Sequence, residues 1–140
     1  MSSILYIEDE PDDVFLMERT FRQVAPEVDL KVISDGQEAV DYFDNSARIS
    51  PGDLSLVLLD LNLPGLSGLK VLSHIRKRPG LAELPVVIFS ASNQPSDIAA
   101  SYAEGCNAYL VKPGDPDRLK TIVAAIKDFW ILENRRANPN

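Results

Sequence analysis

The chain carries one cysteine, Cys106, and one histidine, His74, among 140 residues. A single thiol cannot close an intramolecular disulfide or build a thiolate metal site, and a reducing cytoplasm is the expected setting. A single histidine allows a Ser-His-Asp triad only if His74 is its base. Its place between Ser73 and Ile75, inside a helical pattern, gives it a surface or packing role instead. Basic residues are outnumbered, with 14 Lys and Arg against 21 Asp and Glu, a formal charge of −7. Nucleic-acid binding needs clustered cations, and the pair Arg135-Arg136 sits in a polar tail, so no nucleic-acid partner is expected. Long apolar runs are missing too. Leu56–Leu59 and Val86–Phe89 are four residues each, against the ~18 a spanning helix needs, so no membrane partner is expected. Ile4–Ile7 is too short for a signal-peptide core and is followed by acid.

What is present is a rhythm. Apolar runs at Ile4–Ile7, Asp29–Ser34, Leu54–Leu59, Val86–Phe89 and Ala108–Val111 alternate with helical patterns. Val14, Met17, Phe21 and Val24 share one helix face, with Asp12 or Asp13 after Pro11 as the expected cap. A second helix, after Asp35-Gly36, carries Ala39, Val40 and Phe43. A third carries Leu69, Leu72 and Ile75, ended by Pro79-Gly80. A short fourth covers Ile98–Glu104, and a long fifth runs from Asp115 to about Glu133. Near-continuous apolar runs suit strands covered on both faces. Five alternations predict a doubly wound α/β fold with a five-stranded parallel sheet, order 2-1-3-4-5, flavodoxin-like. The length predicts one domain over residues 1–140, with a core at about 4–126 and an extended C-terminal helix and tail over 127–140.

The polar residues closing the apolar runs are the informative ones. Glu8 and Asp9 follow the first, Asp60 the third, Ser90 the fourth and Lys112 the fifth. Taken singly, each is an ordinary strand-end residue. In the predicted strand order they converge on one crevice. Crowded carboxylates repel and require neutralisation, which a hard divalent cation such as Mg²⁺ supplies. Asp9 and Asp60 would be side-chain ligands, Glu8 a direct or water-mediated one, and Asn62 would offer its backbone carbonyl. A carboxylate also attacks phosphorus, so Asp60 would be both ligand and phosphoryl acceptor. Ser90 and Lys112 would hold transferred phosphoryl oxygens.

The set Glu8-Asp9, Asp60 within Leu-Asp-Leu-Asn-Leu-Pro-Gly, Gly68, Ser90-Ala91 and Lys112-Pro113 resembles the receiver domain of two-component response regulators. The resemblance runs from Ile4 to about Ile126. It implies that Asp60 takes a phosphoryl group from a sensor histidine kinase, that Glu8 and Asp9 help hold Mg²⁺, and that Ser90 and Lys112 contact the phosphoryl group. It also implies that Ser90 and Tyr109 move as the switch and that the Lys112–Pro113 bond is cis. Glu8 stands where many receivers have Asp, and Ser90 where Thr is more frequent. Phe129-Trp130 and the Leu-Asp-Leu-Asn-Leu-Pro core look like the small stand-alone response regulators paired with bacterial phytochromes, which implies a bacteriophytochrome as the kinase.

Only about a dozen residues follow Phe129, the last periodic position of the fifth helix, so a stand-alone receiver without an output domain is expected, signalling through a changed protein surface. Phe129, Trp130, Ile131 and Leu132 point around the helix and cannot all face one sheet. Phe129 and Trp130 are therefore expected at an interface, in a homodimer through helix 4, strand 5 and helix 5. The nearest alternative is a phosphatase of the haloacid dehalogenase class. That class places its nucleophile early, its acidic pair late and a second Asp two residues past the nucleophile, where Asn62 stands here. Self-phosphorylation and slow self-dephosphorylation, without turnover of other phosphate esters, are therefore expected. A receiver-like interaction module independent of phosphate is the other alternative. A nucleotide-binding flavodoxin-like protein is disfavoured, because no Gly-rich loop follows the first strand.

Overall fold

A computed structural model describes residues 2–45 and 54–137. Strand β1 (Ser3–Ile7) is followed by α1 (Pro11–Val24), β2 (Asp29–Ile33), α2 (Gly36–Asp44) and β3 (Leu54–Leu59). Then come α3 (Gly68–Lys77), β4 (Val86–Ser90), α4 (Pro95–Ala103), β5 (Ala108–Val111) and α5 (Pro116–Ile126). All strands pair in parallel, in the order β2-β1-β3-β4-β5. The expected sheet and its order are both found.

Successive residues of a strand face opposite sides of the sheet, and the core divides accordingly. Leu5, Ile7, Val57 and Leu59 pack with Val40 and Phe43 of α2 and Val71, Leu72 and Ile75 of α3. Ile4, Tyr6, Leu56 and Leu58 pack with Met17 and Phe21 of α1 and Leu119, Val123 and Ile126 of α5. Both faces of the central strands are therefore dry, which is why their sequences lack polar alternation.

Several local details depart from expectation, among them the start of α4 at Pro95 where Ile98 is expected. The cap of α1 is Glu10, not Asp12 or Asp13, and its side chain accepts from the Asp12 N–H. Pro11 takes the first helical position, where its missing N–H costs nothing, so the cap falls one residue before it. That leaves Asp13 in the first turn, free for another task. The long fifth helix does not continue as α-helix to Glu133. From Lys127 to Glu133 the backbone widens into a π-helical segment, closed by a bond from the Asn134 N–H to the Phe129 carbonyl at 2.7 Å. The wider turn lets both Trp130 and Ile131 lie against the α1/α5 side of the core. Phe129 and Leu132 remain exposed, at 55% and 52%. Trp130 thus covers its own core, and Phe129 stands edge-on to it with ring centroids 4.8 Å apart. Beyond this segment Arg136 donates to the Leu54 carbonyl at 2.6 Å. The last residues of the expected tail, 138–140, lie outside the described residues. No helix among the described residues is long and apolar enough to cross a membrane.

Candidate phosphoryl-acceptor site

The carboxyl ends of β1 and β3 lie side by side, because the Asp60 N–H donates to the Ile7 carbonyl at 3.1 Å. This register sets Glu8 and Asp9 beside Asp60. Each of the three offers a carboxylate oxygen, and these oxygens lie within 4.8 Å of one another. Glu8 and Asp60 are buried and Asp9 is exposed. On the other side of the sheet's centre, the Lys112 N–H donates to the Ser90 carbonyl at 2.8 Å, which ties the end of β5 to that of β4.

Lys112 closes the cluster. Its Nζ pairs with Glu8 Oε1, lies 2.8 Å from Asp13 Oδ2 and 3.4 Å from Asp60 Oδ2. Burial works against its charge, but hydrogen bonds to Asp13 and Glu8, with the field of Asp60, outweigh burial and hold the ammonium above the usual lysine range. Glu8 is engaged on both oxygens. Tyr6 donates to Oε1 at 3.3 Å, and the backbone N–H groups of Asp9 and Glu10 donate to Oε2 at 3.1 and 3.3 Å. Burial nevertheless pushes its carboxyl up to about 7, with Asp60 adding to the rise and Lys112 opposing it. Burial first, then the charges of Glu8, Asp13 and Asp60, raise the Tyr6 phenol far above its ordinary value, so it acts as a fixed donor.

A glycine holds the acceptor loop against α3. The Gly68 N–H donates to the Leu61 carbonyl at 2.9 Å. A Cβ on Gly68 would sit 2.1 Å from the Asp60 carbonyl oxygen, inside any van der Waals contact. Only glycine permits this approach of helix to strand end. The Asn62 N–H points at Asp60 Oδ1 from 3.5 Å, the outer limit of a hydrogen bond.

Ser90 is fully buried, and its Oγ accepts from the Ser92 N–H at 3.2 Å. Ser92 in turn donates through Oγ to Asp97 Oδ2 in the first turn of α4. The carbonyl of Ser92 accepts from the Tyr109 hydroxyl at 2.9 Å. The two residues expected to switch, Ser90 and Tyr109, are thus joined through Ser92. The Lys112–Pro113 bond is trans, not cis as the resemblance implied, and no cis bond occurs among the described residues. Trans is the lower-energy isomer of an X–Pro amide.

Glu8, Asp9, Asp60 and Lys112 therefore form one contact cluster, with Ser90 and Tyr109 on the adjoining strands. Two members escaped the sequence reading. Tyr6 was legible, since two residues before Glu8 on a strand is the same face. The sequence around Asp13 marks it only as a cap, and its reach to Lys112 depends on how α1 packs.

The family described as the response regulator receiver domain matches residues 4–124. This chain belongs to that family, and the match decides against the phosphatase alternative. It is 34% identical to the probable methanogenesis regulatory protein FilR2 of Methanothrix harundinacea, over 97% of this chain and 88% of that one. It is 33% identical to the response regulator Rcp1 of Synechocystis, over 91% and 88%. Among solved structures it is similar to the phosphorylated cyanobacterial phytochrome response regulator RcpA, with a TM-score of 0.87, 32% identity, and 97% and 98% of the two chains covered. It is also similar to the Mn²⁺-bound form of Rcp1, with a TM-score of 0.84, 29% identity, and 97% and 99% covered.

Proposed function

We propose that this chain is a cytoplasmic response regulator whose Asp60 accepts a phosphoryl group from a sensor histidine kinase of the bacteriophytochrome type. The observation that carries the reading is the cluster itself: carboxylate oxygens of Glu8, Asp9 and Asp60 within 4.8 Å, with Lys112 bridging Glu8 and Asp60. Excess hard oxygen ligands beside one ammonium fit a hard divalent cation, with Asp9 and Asp60 as side-chain ligands, Glu8 direct or through water, and the Asn62 carbonyl completing the set. Mg²⁺, when bound, supplies neutralising charge for the carboxylates and for phosphoryl oxygens.

An Asp60 oxygen attacks the phosphorus of a phosphohistidine in line with the P–N bond. The P–O bond forms as the P–N bond breaks, and the electron pair goes to the imidazole, which leaves neutral with its other nitrogen protonated. Lys112 pairs with one phosphoryl oxygen and the Ser90 hydroxyl donates to another. Drawing Ser90 toward the phosphoryl group pulls on Ser92, and through its carbonyl on Tyr109. The face of α4, β5 and α5 then changes, as a shift between two existing states. Tyr102 and Val111 stand exposed on that face, and Phe129 and Leu132 extend it, which supports a homodimer there. The self-reactions are phosphorylation by small donors and slow hydrolysis.

Intact mass after incubation with a small acyl phosphate and Mg²⁺ tests the reading. One added phosphoryl group is expected, absent with EDTA and in Asp60→Asn. An adduct that persists in Asp60→Asn would move the acceptor elsewhere. No adduct on a folded protein that also fails to bind beryllofluoride would favour an interaction module that works without phosphate.

A further inference from the structure

We propose that Asp13 is the resting-state partner of Lys112 and a positioning residue for phosphoryl transfer, one that must release the lysine when Asp60 is phosphorylated. The inference rests on the reading of Asp60 as acceptor. A lysine ammonium has three N–H donors and no more. In the resting structure three carboxylates claim them: Glu8, Asp13 at 2.8 Å and Asp60 at 3.4 Å. A phosphoryl group on Asp60 brings new oxygens that need a donor from the same ammonium, so one existing partner must yield.

Burial identifies which. The Glu8 side chain is 1% exposed and that of Asp60 6%, whereas that of Asp13 is 36% exposed. Water cannot replace the lysine at Glu8 without opening the core, but it can at Asp13. A small cavity of about 40 Å³ already touches the Asp13–Lys112 pair beside Tyr6 and Leu16, room enough for one water. Asp13 is also nearer Nζ than Asp60 is, so in the resting state it holds the ammonium partly away from the acceptor carboxylate. That leaves Asp60 the more nucleophilic. It also makes the phosphorylated state bear the loss of the Asp13 pair, and it frees the first turn of α1 from the end of β5 whenever Asp60 is loaded.

The test uses the full chain with Mg²⁺ and beryllofluoride, a phosphoryl mimic. Asp13→Asn keeps the shape and removes the charge. Asp12→Asn removes the same charge from the same helical turn, and no ion pair joins Asp12 to Lys112. Asp13→Asn is expected to bind beryllofluoride about fivefold more tightly than wild type, the effect of removing a half-exposed pair that only the resting state makes. Asp12→Asn should change it less than twofold. The ¹⁵N resonance of Lys112 Nζ should differ between wild type and Asp13→Asn at rest and coincide once beryllofluoride is bound. A purely structural role for Asp13 would not make them converge. Unchanged or weaker beryllofluoride binding in Asp13→Asn, or an equal gain in Asp12→Asn, overturns the proposal while leaving Asp60 as acceptor. Wild type that binds no beryllofluoride overturns the acceptor reading and this inference together.

Discussion

Glu8 should make the metal-free protein less stable as pH rises from about 4.5 to about 7. In the fold its carboxyl is fully buried and pushed up to about 7, first by burial and then by Asp60, against the pull of Lys112. In the unfolded chain it titrates near its ordinary 4.5. Between those values the folded state holds the proton and the unfolded state does not, so raising the pH favours unfolding. Below 4.5 and above 7 this contribution is level. A rise from 4.5 to about 7, at ~1.4 kcal/mol for each pH unit, amounts to about 3 kcal/mol. Glu8→Gln keeps the side-chain shape and one oxygen for Tyr6 and Lys112 and removes the titration; its amide NH2 cannot accept from the Asp9 and Glu10 N–H groups, a cost that does not vary with pH. Urea unfolding in EDTA across pH 4 to 8 measures the effect. The stability of wild type relative to Glu8→Gln should fall by about 3 kcal/mol across the window and be flat on either side. Added Mg²⁺ at pH 7.5 should recover part of the difference, because a cation on the carboxylates replaces the proton. Parallel pH profiles for the two proteins would refute the argument that burial governs this carboxylate.

Other substitutions test other parts of the structure. Gly68→Ala puts a Cβ 2.1 Å from the Asp60 carbonyl oxygen and should cost about 2–3 kcal/mol in urea unfolding as the backbone moves; acyl-phosphate labelling should slow with it, and an unperturbed labelling rate would show that the acceptor loop tolerates the shift. Arg76 donates to the carbonyls of Gly105 and Leu84 and to Asn107 Oδ1 at 2.7–2.8 Å; Asn107 Oδ1 keeps the Val86 N–H, so Arg76→Met should lower stability by about 2 kcal/mol through the two carbonyls it leaves, read in the same assay. Phe129→Ala removes an exposed ring and should change monomer stability by less than about 1 kcal/mol, while sedimentation velocity should show weaker self-association; unchanged association would place the dimer contact elsewhere.

The order of the sheet and the convergence of Glu8, Asp9, Asp60, Ser90 and Lys112 could be read from the chain because both follow from periodic features. Strands buried on both faces must be apolar throughout, and a parallel sheet gathers its strand ends on one side. What could not be read depends on distances between elements remote in sequence. Asp13 and Lys112 are 99 residues apart, and nothing local distinguishes an acid that caps a helix from one that reaches a lysine. Trp130 is expected at an interface because four consecutive apolar residues on a regular helix cannot all face one sheet, yet its ring packs against the chain's own core. The π-helical widening changes the direction of each side chain, and no residue between Lys127 and Glu133 announces it. Ser92 shows a third kind of limit. Its links to Ser90, Asp97 and Tyr109 run largely through backbone atoms, which every residue carries, so composition cannot mark the position.

The cluster's charge explains why such a site can respond at all. Glu8, Asp13 and Asp60 crowd around one ammonium, with Asp9 beside Glu8 and Asp60, so the resting arrangement is under-neutralised by construction. A folded state that carries this repulsion gains more from a bound cation than a neutral pocket would. The same crowding makes Lys112 the shared resource of the site, since each carboxylate that loses it must find water, a proton or metal instead. A dianionic group arriving at Asp60 is then a strong perturbation at a point where only one donor can move, and the buried Glu8 fixes one end of that donor. The lysine's freedom is confined to the line between Asp13 on α1 and Asp60 just past β3. Charge added at the acceptor therefore reads out at two places, through Lys112 at α1 and through Ser90, Ser92 and Tyr109 at α4. Asp13→Asn separates these outputs: it should remove the signal at α1 and leave the Tyr109 response intact, and loss of both would mean that a single rearrangement spans the whole crevice.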